Sequence, residues 1–406
     1  MGNRKFSLGI DTSNYTTSLA LVNESLQVVA QQRQLLYVKK GEKGLRQSQA
    51  LFEHVGNLPS VMGKLMGEAE KNTGLGSGAI ASRIVIVAAS ERPRPVEGSY
   101  MPVFRSGASL GSCLASALGA VYLGISHQEG HIEAIRRFTS MKGSSPFLAL
   151  HLSGGTTECL LCRQRDPAGG DEKKGQPERK AGYEIRLTGK SLDLSAGQLL
   201  DRVGVALGLD FPCGGQLDRL ALSFLKEGDF RQAQKQKSLG KEENGRKSPA
   251  SWKKGLSPVR VKEGMMNLSG METQAQRLIL QRGLSGVLKD CEGRENCLPE
   301  QSAGMEMAGE IAAGVLLRLG EGIFQMLKQC MEKEKVYQVI MAGGVSASVF
   351  LRQQLTRAFE GLPEGAGLYF DSRGYAADNA VGTALIGMRH FLGCLQEPKG
   401  ASHETR

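Results

Sequence analysis

The sequence predicts an α/β protein made of two similar domains, and three observations carry that expectation. Its 406 residues are too many for one compact core and suit a duplicated one. Residues 8–22 (LGIDTSNYTTSLALV) parallel residues 148–162 (LALHLSGGTTECLLC): at a constant offset of 140, both carry Leu, Ser, Thr, Thr and Leu at matching places. A third stretch, VYQVIMAGGVSASVFLRQQL at 336–355, passes from an apolar strand through two glycines into a helix. Strands that alternate with helices in this way make α/β layers.

Each repeat has the shape of a hairpin, an apolar strand, a small polar turn and a second apolar strand. The turns are built of Ser, Thr, Gly and Asn, residue types that leave backbone N–H groups able to face an anion. The first turn follows IDTS and the second lies within LSGGTT. Between the repeats, RIVIVAAS (83–90) reads as a buried strand and SCLASALGAVYLG (112–124) has helical spacing. Beyond them, Leu199, Leu200, Val203 and Leu207 repeat at helical spacing and put Asp201 on another face, before FPCGGQ breaks the helix. An acidic residue on such a helix can accept from ribose hydroxyls, although a solvated aspartate is the commoner fate. In 336–355 the apolar positions Val349, Leu351 and Leu355 fit one helix face. Gly343 and Gly344, between strand and helix, suit a phosphate cradle or an unliganded tight turn. The expected domains are 1–140 with 376–398, and 141–375, followed by a flexible tail at 399–406.

Composition narrows the class. A hydrophobic share of 40% and a charged share of 23% are those of a globular protein, and no apolar run has membrane-spanning length. MGNRKFS is like a myristoylation sequence, but Phe6 already enters the first strand. No secretory signal is evident, and eight scattered cysteines in such a chain point to the cytoplasm. Cys159 and Cys162 form one CxxC inside an apolar run, with no second pair at zinc-finger spacing, and read as buried thiols. Net charge is +10, much of it in two polar segments, 163–181 and 231–262. These fit solvated insertions, and also fit an electrostatic footprint for nucleic acid.

Residues 126–134, SHQEGHIEA, hold two of the six histidines. On a helix, His127 and His131 lie on one face about 5–6 Å apart at Cβ, which suits two ligands of one metal ion. A zinc protease would need glutamate directly after the first histidine; that position is Gln128, and the glutamate is Glu129. Gly130 weakens a helix and hints at a close approach there. Two histidines leave a metal short of ligands, and Asp378, at the start of the apolar helix in GYAADNAVGTALIG (374–387), offers a carboxylate. On the residues alone, a metal site and an ordinary helix both stand.

With these pieces in place, the chain resembles the tRNA threonylcarbamoyl transferase family, once called glycoproteases, of the actin-like/Hsp70/sugar-kinase superfamily. LGIDTS is similar to the family's L-G-I-E-T-S, HQEGH to H-x-E-G-H and LSGGTT to V-S-G-G-H-T. SAGQLLDRVGVALGLDFPCGG, GGVSASVFLR and AADNA match three further motifs in family order. The resemblance implies two similar actin-like domains around a nucleotide cleft. It implies an iron or zinc ion on His127, His131 and Asp378. It implies substrate contacts at Asp11, Ser13, Leu152, Ser153, Gly154, Gly155, Thr156, Asp201, Gly214, Gly343, Gly344 and Ser348. The implied reaction moves a threonylcarbamoyl group from its adenylate to N6 of the adenosine beside the anticodon of ANN-decoding tRNA. The implied partners are tRNA, a paralogous non-catalytic subunit and a small P-loop ATPase, with no membrane.

The chain departs from the pattern at several places. The family's C-D-E is Asn14-Tyr15-Thr16, the histidine of S-G-G-H-T is Thr156, the asparagine after G-G-V is Ser348, and the opening Glu is Asp11. ERPRPVEGSYMPVFR (91–105) replaces a glycine-rich stretch. These changes leave open a second reading, a non-catalytic nucleotide- and metal-binding paralogue. A metallopeptidase reading lacks its general base.

Overall fold

The computed structural model describes residues 5–13, 15–37, 45–141, 146–165, 181–224, 253–289, 299–371 and 379–396, with side chains from 303 onward in the helix that starts at Pro299. Asn14, Asp378, most of the two basic segments and the tail 399–406 lie outside the described residues. The chain divides into two units. One comprises Met1–Ser145, Cys162–Ile185 and Asp371–Arg406; the other comprises Pro146–Leu161 and Arg186–Phe370.

In the first unit β1 (Phe6–Ser13), β2 (Thr16–Asn23) and β3 (Val28–Leu35) form an antiparallel meander, with Leu8 opposite Leu21 and Ser13 opposite Thr16. β4 (Ile84–Arg92) then pairs parallel with β1, and β5 (Val121–Ser126) parallel with β4, giving the order β3-β2-β1-β4-β5. β1 is buried along its whole length because both faces are covered. Phe6, Leu8 and Ile10 share one buried apolar cluster with Leu58, Val61 and Leu65 of α1 (Gln47–Thr73). α2 (Ser77–Ala81) and α3 (Phe104–Leu118) complete that side, and α4 (His127–Arg137) follows β5.

One expectation is corrected here. The helical spacing read over 112–124 ends at Leu118, where Gly119 takes φ +63 and stops α3, so VYLGIS becomes β5. A left-handed residue cannot continue an α-helix, and glycine adopts that region without a Cβ penalty.

The second unit repeats the topology. β6 (Phe147–Leu152), β7 (Thr157–Arg165) and β8 (Gly182–Ser191) lie side by side, and two short strands, β9 (Val261–Lys262) and β10 (Met265–Met266), extend the β8 edge. β11 (Gln338–Ala342) pairs parallel with β6, and β12 (Gly367–Phe370) parallel with β11. The order β12-β11-β6-β7-β8 is the order of the first sheet read from its other edge. The offset of 140 between the two hairpins is therefore the offset between two copies of one fold. The helices are α5 (Ala196–Leu207), α6 (Gly214–Phe224), α7 (Ser269–Gln281), α8 (Pro299–Glu334) and α9 (Val349–Glu360). Leu199, Leu200, Val203 and Leu207 enter the core as their spacing predicts. Cys159 and Cys162 are both buried. On α9, Val349 is 47% exposed; Phe350 takes the inward place beside Leu351 and Leu355.

The last helix, α10 (Val381–Gln396), belongs to the first unit and covers the face of β1 opposite α1. Three glycines allow it. A Cβ on Gly9 of β1 would stand 2.5 Å from the Ala380 carbonyl, and one on Gly130 of α4 2.9 Å from Thr383 Oγ1. A Cβ on Gly382 would collide with the Gly130 carbonyl. The close approach read at Gly130 is thus a backbone contact between α4 and α10. Since the obstacles at Gly9 are backbone atoms, they cannot swing aside. Gly9→Ala is expected to destabilise the protein by about 1–3 kcal/mol, the range for overpacking. Urea unfolding of the purified variant measures this, and an unchanged midpoint would contradict the packing described.

Candidate functional site

In the first unit the candidate residues gather where β1 ends and α4 begins. β5 delivers the chain to Ser126, which caps α4: its hydroxyl accepts from Glu129 N at 3.2 Å, and Glu129 Oε2 accepts from Ser126 N at 2.9 Å. This is a capping box, reciprocal satisfaction of two orphan helix donors. Glu129 Oε1 also accepts from Tyr183 N at 3.1 Å. The glutamate of SHQEGH is therefore buried and engaged with main chain, which gives its place in the motif a structural reason and removes it as a protease base.

The two histidines leave that cap in succession. His127 and His131 have ring centroids 4.2 Å apart, edge to face. Asp11, fully buried at the end of β1, sets Oδ1 3.0 Å from His127 Nδ1 and accepts from Ser13 Oγ at 2.7 Å through Oδ2. A carboxylate on Nδ1 fixes the ring's orientation and tautomer and turns Nε2 toward a ligand role. The donor chemistry of this pair thus fits a transition metal. Among the described residues no group of three His, Cys, Asp or Glu side chains could hold a metal ion. The third expected ligand, Asp378, lies outside them, and its described neighbour Asn379 is buried, its Oδ1 accepting from Val381 N at 3.0 Å as α10 begins. The far end of α4 is held by Glu133, which accepts from the Tyr183 phenol and meets Arg389 at 3.1 Å. Burial pushes the Tyr183 phenol well up, so it acts as a donor.

Several neighbours escape sequence reading. The 91–105 stretch packs against this site: Pro93 O accepts from Gln128 N at 3.1 Å, Val103 O from Thr12 Oγ1 at 2.9 Å, and the Phe104 ring lies 5.8 Å from His127. His54, on the buried stripe of α1, sets Nδ1 2.9 Å from Thr17 Oγ1 beside the same hairpin. Burial pulls its pKa from 6.5 to about 4 against the opposing pull of Asp11 and Glu53. The only signal was a polar residue inside the apolar period of α1.

In the second unit the turn expected to offer N–H groups to an anion is closed on itself. Ser153 N donates to Thr156 O at 2.8 Å, and Ser153 Oγ accepts from Gly155 N at 3.2 Å and Thr156 N at 3.0 Å. The turn abuts α5, whose cap Ser195 donates to Gly154 O at 2.7 Å. His151, unremarked in the sequence, sets Nδ1 3.2 Å from Thr156 Oγ1. Leu152 keeps its side chain in the core, and its carbonyl would lie 2.2 Å from a Cβ on Gly343, which holds φ +86. A 3-10 turn over Gly344–Ala347 separates Gly343 from α9, so the helix does not start at the glycine pair.

Asp201 and Ser348 are engaged with main chain. Asp201 accepts from Cys213 N at 2.8 Å and from Gly214 N, fastening the start of α6. Its burial raises its pKa. Ser348 caps α9 by accepting from Leu351 N at 3.1 Å, and donates to Asp218, which also accepts from Val349 N and Phe350 N. Three groups therefore form within the units: Asp11–Ser13–His127–His131, His151–Ser153–Thr156–Gly343, and Asp201–Gly214.

Comparison with known proteins gives these groups a family. The model for tRNA N6-adenosine threonylcarbamoyltransferase (TsaD) matches residues 30–173 and 179–385. The chain belongs to this family. A relative of that name from Archaeoglobus fulgidus is 24% identical over 98% of this chain and 95% of its own. Another, from Thermosipho africanus, is 23% identical over 95% and 94%. A 26% match from Vesicomyosocius okutanii covers 70% of this chain and 64% of that one. Among solved structures, HypF of T. kodakarensis is similar over 96% of this chain and 48% of that chain, with a TM-score of 0.48 and 13% identity. A glucokinase from Streptomyces griseus is similar over 94% and 99%, with a TM-score of 0.42 and 12% identity. The family is one of tRNA-modifying transferases.

The His54 environment sets a pH dependence. Its folded pKa is depressed, so the unfolded chain takes up a proton first as pH falls below 6.5, and stability present above that value is lost on the way to about pH 4. Each pH unit inside that window costs at most about 1.4 kcal/mol. The wild type is expected to lose more stability between pH 7 and 5 than His54→Gln, measured by urea unfolding; parallel pH profiles would contradict this.

Proposed function

We propose that the protein transfers a threonylcarbamoyl group from threonylcarbamoyl-adenylate to N6 of the adenosine adjacent to the anticodon in ANN-decoding tRNA, with an iron or zinc ion at its centre, in the cytoplasm. The observation that carries this reading is the histidine pair of α4 with Asp11 bonded to His127 Nδ1 at 3.0 Å. Family membership and the shared name of the relatives support it. His127, His131 and Asp378 would hold the ion, which when bound supplies Lewis-acid polarisation and a template for the donor.

The chain's own residues supply orientation. Asp11 holds the His127 ring in one tautomer, and Ser13 holds Asp11. The Ser153–Thr156 turn and the Gly343–Gly344 turn are taken to bind the donor's phosphate, with Asp201 and Gly214 at its adenosine. Binding donor and amine in one geometry replaces a bimolecular encounter by a positioned one. The basic segments 163–181 and 231–262 would meet tRNA phosphates, since clustered Lys and Arg suffice for that contact. A paralogous subunit and a small P-loop ATPase are the proposed partners. The alternative, a nucleotide- and metal-binding paralogue without transfer chemistry, is favoured by Asn14-Tyr15-Thr16 and Ser348 standing where the family pattern has its acidic pair and its Asn.

Two measurements decide. Protein purified without chelator is expected to contain about one transition metal per chain by elemental analysis, lost in His127→Ala; a metal-free wild type removes the metal reading. Incubation with threonine, bicarbonate, ATP, an adenylate-forming enzyme and ANN-decoding tRNA is expected to give the modified nucleoside by mass spectrometry, and Asp378→Ala none. A wild type inactive with these components and both proposed partner subunits present would favour the paralogue instead.

A further inference from the structure

Residues 91–105, which replace the family's glycine-rich stretch, border the histidine pair of α4. Near one end Pro93 O accepts from Gln128 N at 3.1 Å, and near the other the Phe104 ring lies 5.8 Å from that of His127. Between these anchors the chain is tied by its own bonds. Arg94 N donates to Ser99 Oγ at 3.0 Å and Ser99 N to Val96 O at 3.2 Å, with Gly98 at φ +73 making the turn. Val103 and Phe104 are buried in one cluster with Leu36 and Ala50, and Met101 packs against it.

One side chain takes no part in this anchoring. Tyr100 is 65% exposed, and among the described residues it makes no side-chain hydrogen bond and no ring contact. Its neighbours Ser99 and Met101 are both held, so the ring is presented on a fixed backbone. An aromatic group held in this way pays little further ordering cost when something stacks on it. Arg92, Arg94 and Arg105 accompany it, against Glu91 and Glu97. Glu91 is already engaged, accepting from the Tyr122 hydroxyl at 3.0 Å and lying 3.7 Å from Arg92. Arg105, next to Phe104, is exposed and has no ion-pair partner among the described residues. An exposed ring with arginines to either side along a tied loop suits unstacked bases: the ring offers a face to a base, and the cations meet phosphates. A duplex, whose bases are stacked on one another, has no such base to give. An amine delivered to His127 and His131 arrives beside this stretch, because the stretch touches Gln128 and the His127 ring.

We propose that 91–105 is the surface that receives the single-stranded loop of the acceptor RNA: Tyr100 stacks on an unpaired base near the reacting adenosine, and Arg105 pairs with the loop's backbone phosphate. This rests on the tRNA reading above and names the residues of this chain that select a loop over a duplex.

Fluorescence-anisotropy titrations of the full chain test it, with a labelled anticodon stem-loop of an ANN-decoding tRNA and with a blunt RNA duplex, across a series of KCl concentrations. Tyr100→Ala is expected to weaken stem-loop binding about tenfold, the order of one lost base stack, and to leave duplex binding unchanged. Tyr100→Phe should keep the wild-type affinity, since the ring face and not the hydroxyl makes the stack. Arg105→Gln should lower the slope of log Kd against log salt by about 0.7–0.9, the share of one phosphate. Both side chains are exposed, so the urea midpoint of each variant should match the wild type. Equal stem-loop affinity in wild type and Tyr100→Ala overturns the proposal and leaves the tRNA reading standing, as does an equal loss for stem-loop and duplex. Unchanged RNA binding with weakened binding of the paralogous subunit overturns it too, and assigns the surface to that protein. A wild type that binds neither RNA overturns the tRNA reading and this proposal with it.

Discussion

Contact between main chains at Gly9, Gly130 and Gly382 is the constraint on which the first unit depends. β1, α4 and α10 approach so closely that no side chain fits between them at these points. The histidines ride on α4, Asp11 lies two residues beyond Gly9 on β1, and the start of α10 follows the segment that contains Asp378. Fixing three backbones at contact distance removes the slack that flexible side chains would leave between those elements. The surrounding small residues, Ala20, Ala134, Ala380 and Ala384, continue the same close layer. Larger apolar residues would bury more area and yet separate the elements, so volume is sacrificed for position.

The two units solve the same topological problem with different polar chemistry. In each, a central strand ends beside a helix N-terminus, and a serine at that end takes part in local hydrogen bonds. The first unit adds a buried carboxylate and two imidazoles from α4. The second closes its turn through Ser153 and backs it with α5, whose Ser195 and Thr157 contacts fasten turn to helix. The carboxylates and hydroxyls at these strand ends and helix starts are hydrogen-bonded. Their partners are often main chain: Glu129, Asp201 and Asp218 each accept from backbone N–H at a helix start. All three carboxylates thus help to fasten a helix start.

Much of the architecture was legible because periodicity and repetition survive without coordinates. The two hairpins, the strand at 83–90, the Leu199–Leu207 face and the strand before Gly343 all follow from patterns that burial imposes. β5 was misread because VYLGIS follows a helix without a polar break, and only Gly119 marks the boundary. Val349 was placed inward because a cap at Ser348 shifts the phase of α9, and the acceptor that fastens that cap, Asp218, is 130 residues away. At the site, the histidine pair was legible from spacing, while the Asp11–His127 bond spans 116 residues and no local pattern encodes it. His54 and His151 were invisible for the same reason: each reads locally as one polar residue in an apolar stretch, and its meaning comes from a partner in another element or across a turn.

The capping box at Ser126 has a further consequence for how the motif can change. The cap residue directly precedes the first histidine, and the residue completing the cap sits between the two. Five or six letters therefore encode both where the helix begins and which way its imidazoles face. An insertion or deletion of one residue ahead of His131 would rotate that ring by about 100° around the axis relative to the cap. The spelling of the segment is under two grammars at once, and the glutamate between the histidines is the word that both of them share.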